Sequence, residues 1–148
     1  MKLRCLLLPA LGLAASAHGQ ALPDSTAIKR VLEKESATWR AGDVPGHAQC
    51  WAVRPYSRIL VSTADGTVLD VPPATMLQPP AGAMGRGGSA TNSHYQMRIQ
   101  GTTAWVSHDE VSTARTGEKT YSAEFRMLEK INGEWKLVGQ SIHLRRQP

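Results

Sequence analysis

The sequence predicts an α+β domain in which N-terminal helices pack in the concavity of a strongly curved antiparallel sheet. Three observations carry this. The residues from Pro23 to Ala52 have helical apolar spacing, and those from His94 to Leu144 read as successive strands. The third is Asn132-Gly133, set between two strand-length apolar runs, a strong hairpin signal because both residues tolerate positive φ. Helices followed by a run of strands define the class.

In chain order, Pro23-Asp24-Ser25 opens a helix with a capping residue. Its stripe of Ala27, Ile28, Val31, Leu32, Glu35 and Trp39 follows the 3.6-residue period, and Ala41-Gly42 ends it. Asp43-Val-Pro45 caps a second, short helix that carries Ala48, Trp51 and Ala52 inward before Pro55 stops it. Arg58 to Thr63 and Thr67 to Val71 form a hairpin about Asp65-Gly66. From Pro72 to Asn92 the composition shifts to Pro, Gly, Ala and Ser: a helical turn starts at Pro72-Pro73, and Gly82 to Gly88 is too rich in glycine for regular structure. This segment reads either as a lid or as slack. Strands then run over Ser93 to Gln100, Thr102 to Val111, Thr120 to Lys130 and Glu134 to Leu144, with a turn at Thr116-Gly117.

The first 19 residues form a class of their own. Lys2 and Arg4 lead a short apolar run that ends in small residues, the pattern of a cleaved secretory signal peptide. The run is too short for the ~20 residues of a membrane span. Cleavage fits after Ala17 or after Gly19, and the second is preferred because a start at Gln20 leads into a polar cap. Secretion or export to a periplasm follows as the expectation, with residues 20–148 forming one domain and no membrane span in the mature chain. That domain retains one cysteine, Cys50, so no intrachain disulfide is expected and stability must come from packing. Without Lys2 and Arg4 the 17 basic residues fall to 15 against 12 acidic ones, interspersed and without a basic run. No nucleic-acid partner is expected.

Certain pieces taken together resemble the nuclear transport factor 2-like superfamily, the cone-shaped, cystatin-like fold of SnoaL-like and ketosteroid isomerase-like proteins. They are Trp39-Arg-Ala-Gly-Asp43, Trp51-Ala52 with Pro55-Tyr56, Gly101-Thr-Thr-Ala-Trp105, and Leu128-Glu-Lys-Ile-Asn-Gly-Glu-Trp135-Lys-Leu-Val, over most of Ile28 to Leu144. The resemblance implies a pocket between the concave sheet face and the helices, and often a homodimer through the outer face. It implies no single chemistry. The chain departs from the pattern where a third helix is replaced by the Pro/Gly-rich segment, and no residue aligns with the aspartate or histidine–carboxylate pair of the enzymes.

Strand alternation groups Tyr121, Phe125, Met127, Trp135, Leu137, Gly139, Ser141 and His143 on one face, and Glu124, Arg126, Leu128, Val138, Gln140 and Ile142 on the other. Both faces are partly apolar, so one is assigned to the helices and the other to a partner subunit. On the first face Tyr121 and His143 are candidate proton donor and base, beside Ser141. Glu35 is the third catalytic candidate, a carboxylate within an apolar stripe, with a solvated position at the stripe's edge as its alternative. Trp39, Trp51, Tyr56, Trp105, Phe125 and Ser141 are candidate pocket-lining residues, core filling being the other role of Trp39 and Trp105. No metal site is expected, because no two histidines have ligand spacing on one element and His108 and Asp109 point to opposite faces. Nor is a cofactor: Gly85-Arg-Gly-Gly88 neither follows a strand nor opens a helix as a phosphate loop would. The expected activity is binding of a small apolar or amphipathic molecule without catalysis. A cofactor-independent lyase, isomerase or hydrolase is the alternative.

Overall fold

The computed structural model describes residues 23–146, so the signal-peptide reading of residues 1–19 falls outside the described residues. Helix α1 spans Asp24–Ala41. Its stripe has two halves: Ile28 and Leu32 are buried in the core, and one to two turns later the same face presents Glu35 and Ser36, also buried. The expected side-chain cap is not formed. Pro23 holds the N-cap position, and the Asp24 carboxylate instead accepts from Trp135 Nε1 at 2.9 Å and Lys130 Nζ at 2.7 Å. At the other end Gly42 takes φ +76°, and the Asp43 N–H turns back onto the Thr38 carbonyl at 3.0 Å. Helix α2, Val44–Ala48, is capped as expected by Asp43, whose Oδ1 accepts from the Gly46 N–H at 2.9 Å.

Six strands form one sheet: β1 Ile59–Ser62, β2 Val68–Val71, β3 Ser89–Gln100, β4 Thr103–Thr113, β5 Lys119–Ile131 and β6 Glu134–Arg145. Their order is β2-β1-β6-β5-β4-β3. Strands β3 to β6 are the expected antiparallel meander. The sheet is not wholly antiparallel, however, because β1 runs parallel to β6, with Ile59 beside Gln140 and Ser62 beside His143. Two helices precede β1, and the chain enters the sheet at the open side of its last strand, in that strand's direction. Ile28, Leu32, Val106, Leu128, Trp135 and Leu137 form the core between α1 and the concave face.

The register of β5 with β6 changes the grouping expected from alternation. The two-residue Asn132-Gly133 turn sets Trp135 opposite Lys130 and Leu137 opposite Leu128, so both share the concave face of Leu128 rather than the face of Phe125 and Met127. A bulge then leaves Val138 without a partner, and beyond it Gly139 pairs with Met127 and Ser141 with Phe125. The concave face of β6 is therefore Trp135 and Leu137 before the bulge, and Gln140, Ile142 and Leu144 after it.

Residues 72–88 hold the expected helical turn as one 3-10 turn, Pro73–Met76, which buries Met76. The glycine-rich part is anchored. The N–H groups of Gly85 and Gly87 donate to the carbonyls of Trp39 (3.0 Å), which also accepts from the Gly42 N–H, and Arg40 (2.9 Å). Gly85, at φ +86°, lies against Gly42, where a side chain on Gly42 would come within 3.1 Å of the Gly85 Cα. The segment is thus strapped to α1. Among the described residues no helix is long and apolar enough to cross a membrane.

Candidate functional site

The core fills the half of the concavity nearest the Asn132-Gly133 turn, and the other half holds a cavity of about 350 Å³. Its walls are Ile59, Val61, Val71, Met76, Ile142 and Leu144, with Trp39 and Arg40 from the last turns of α1. Its floor is polar: Glu35 and Ser36 from α1, Glu110 and Ser112 from β4, Ser122, Glu124 and Arg126 from β5, and Gln140 from β6. Period two on three adjacent strands and one helical turn above them bring these groups together.

Arg126, only 4% exposed, organises the floor. Its Nε donates to Glu124 Oε2 at 3.0 Å, Nη2 donates to the same oxygen, and Nη1 donates to Gln140 Oε1 and lies 3.6 Å from Glu35 Oε2. Burial favours the neutral guanidine, but Glu124 and then Glu35 outweigh it and hold the Arg126 pKa above its ordinary value. Burial also pushes the Glu124 carboxyl up. The charge of Arg126, with His108 and the hydrogen bonds from Ser122 and Arg126, prevails and holds it below its ordinary value. Glu110 accepts from Ser36 (2.9 Å) and Ser112 (2.7 Å), and Arg40 donates to Ser36.

Two buried histidines back the carboxylates. His47, from α2, is 3.8 Å from Glu35 through Nε2, with Nδ1 at 3.3 Å from the Glu35 carbonyl oxygen. His108, from β4, is 3.5 Å from Glu124 through Nε2 and packs against Tyr95, and neither of its ring nitrogens has a hydrogen-bond partner among the described residues. Burial lowers the His108 pKa, against the opposing pull of Glu124, which favours the neutral imidazole.

Of the residues singled out from the sequence, Glu35 and Trp39 line the cavity. Tyr121, Ser141 and His143 lie on the convex face, where Ser141 Oγ and His143 Nε2 are 2.9 Å apart and Tyr121 pairs with Arg145. The hairpin register separates them from Trp135 and from the cavity. Trp51 is packed in the core, bridging to Leu137, and Tyr56 is exposed, its hydroxyl donating to Glu129. Trp105 and Phe125 stack on the convex face with ring centroids 5.5 Å apart. Leu128, Val138 and Ile142 do not form an apolar patch on that face for a partner subunit, since Leu128 and Val138 are buried and Ile142 lines the cavity. Instead Trp105 (38% exposed), Phe125 (39%) and Met127 (39%) form it. Alternation places Glu124, Arg126 and Gln140 on one face without marking them as a site. The available signal was two opposite charges two residues apart on a strand with neighbours on both sides.

An α+β cone, with a polar-floored cavity between one long helix and a six-stranded sheet, defines the class of domain. Solved structures share the fold. A nuclear transport factor 2-like protein from Cytophaga hutchinsonii superposes with a TM-score of 0.63 at 14% identity, covering 83% of this chain and 99% of its own. One of unknown function in nutrient uptake from Rhodospirillum rubrum gives 0.59 at 21% identity, covering 80% and 98%. A protein of unknown function with a cystatin-like fold from Nostoc punctiforme gives 0.61 at 17% identity, covering 84% and 92%. The chain has the nuclear transport factor 2-like fold. No family model matches the sequence, and a search of curated proteins finds no match.

Proposed function

We propose that the protein is a secreted or periplasmic binding domain for a small apolar or amphipathic molecule, which occupies the concave-face cavity without being transformed. The observation that carries this is the cavity itself: about 350 Å³ of space with apolar walls over a floor whose polar groups are largely bonded to one another. Apolar enclosure with a few convergent polar groups is the usual form of a small-molecule site. The test is native mass spectrometry of purified protein, alongside a variant, Ile142→Trp, that fills the cavity. Retained ligand on the wild type and none on a folded Ile142→Trp supports the reading, and equal ligand on both overturns it. Export rests on residues 1–19, and the mass of exported protein decides it: loss of those residues is expected.

A second reading, a cofactor-independent lyase, isomerase or hydrolase, is favoured by one observation. The Glu35 carboxylate lines the cavity, accepts no hydrogen bond from a described side chain, and lies between Arg126 and His47. A carboxylate so placed is able to take a proton from a bound molecule or water. Under this reading Glu35→Gln abolishes turnover while ligand is still retained. The homodimer is proposed through the convex face, with Trp105, Phe125 and Met127 covered by a second copy.

A further inference from the structure

We infer that the polar end of the ligand is a protonated amine, carried on an apolar body. This rests on the binding reading above and follows from which hydrogen-bonding capacity the floor has left to offer. All three nitrogens of Arg126 already donate, to Glu124 and Gln140. Ser36 and Ser112 give their hydroxyl protons to Glu110, and Ser122 gives its proton to Glu124 at 2.9 Å. The Gln140 amide nitrogen is turned to the Met76 sulfur at 4.0 Å. Most donors of the floor are therefore engaged. Acceptors are not: Glu35 is 6% exposed, lines the cavity and receives no hydrogen bond from a described side chain, although a carboxylate offers about four lone-pair sites.

Charge points the same way. Three carboxylates, Glu35, Glu110 and Glu124, line the cavity against two guanidiniums, Arg40 and Arg126. Among these lining groups the carboxylates outnumber the guanidiniums by one, in a place where buried charge needs a partner. An ammonium group supplies donors and the missing positive charge together, since it carries three N–H bonds and no acceptor. A carboxylate head would be confined to Arg40 and Thr120 at the cavity's edge and would add a second uncompensated charge. An alcohol would satisfy one acceptor and leave the charge. The Trp39 ring on the wall adds an aromatic surface that favours a cation near it.

Isothermal titration calorimetry of the mature chain at pH 7 tests this with three probes of equal length, octylamine, octan-1-ol and octanoate, each below its micellar concentration. Octylamine is expected to bind about tenfold more tightly than octan-1-ol, and octanoate not to bind, since a charge-assisted hydrogen bond in a buried site is worth about that factor. Glu35→Gln should remove the preference for the amine and keep the alcohol's affinity, with His143→Ala on the convex face as the unaffected control. If circular dichroism shows Glu35→Gln to be unfolded, Glu110→Gln takes its place. Octan-1-ol or octanoate binding as tightly as octylamine overturns the amine and leaves the binding reading standing. No binding by any of the three overturns both.

Discussion

Arg126 neutralises carboxylates on two elements at once, and the cost of losing it follows from what would remain. Arg126→Met would leave Glu124 and Glu35 both buried without the cation they share. A loss of about 3–5 kcal/mol is expected in urea melts. Glu124→Gln combined with Arg126→Met should cost less than Arg126→Met alone, because the stranded charge goes with the partner. The same groups set the acid limit of stability. His108 and Glu124 both have folded pKa values below their ordinary 6.5 and 4.5. Each is deprotonated in the fold at a pH where the unfolded chain has already bound a proton. Their stabilisation is therefore complete above the ordinary values and lost as pH falls. Melts across pH should show a plateau above 6.5, a first decline below it from His108, and a further one below 4.5 from Glu124. His108→Gln should remove the first decline only. Trp135 shows the opposite kind of dependence, on packing. It is 3% exposed, and its Nε1 donates to Asp24, so Trp135→Ala should cost about 3–5 kcal/mol. For the solvent-facing His143, His143→Ala should stay within about 1 kcal/mol.

At the level of elements, strand β6 shows where a sequence stops being legible. Periodicity and turn residues located every strand to within a few residues, because the apolar alternation of a half-buried strand and the φ > 0 demand of Asn132-Gly133 are local properties. Which face of β6 points inward is not local. It depends on the turn setting Trp135 against Lys130, and on the bulge at Val138 that reverses the phase halfway along. Glu35 was legible for a related reason: a carboxylate in an apolar helical stripe announces itself in one dimension. The grouping of Glu110, Glu124, Arg126 and Gln140 is written on three strands, and pairing alone reveals it. Composition likewise marked residues 72–92 as irregular without showing that their glycines fasten the chain to α1. The strap has its own test. Gly85→Val puts a β-branched residue at φ +86°, a cost of about 1–2 kcal/mol that falls on the strap's anchoring residue. Limited proteolysis should then cut within residues 77–88 faster than in the wild type, and unchanged cleavage would show that the strap contributes little.

Taken whole, the molecule exposes two aromatic rings and a methionine at the centre of its convex face, so assembly and folding are questions about the entire chain. Sedimentation should find a dimer at tens of micromolar, and Trp105→Glu with Phe125→Glu should give a folded monomer. A wild-type monomer at that concentration would exclude the proposed assembly. The parallel seam between β1 and β6 sets the order of events in folding. Strands β3 to β6 join neighbours through short turns, whereas Ile59 finds its partner only at Gln140. Closing so long a loop costs entropy that local hairpins do not incur, so the meander should form first and the β1–β2 hairpin dock late. Substitutions in β4 and β5 should then slow refolding, and Val61→Ala should mainly speed unfolding. Ile59, Val61 and Val71 all come from that late-docking hairpin, and they are three of the cavity's walls. Under the binding reading, the cavity would be completed by the last step of folding, and an occupant that held the hairpin in place would act as a brake on the first step of unfolding.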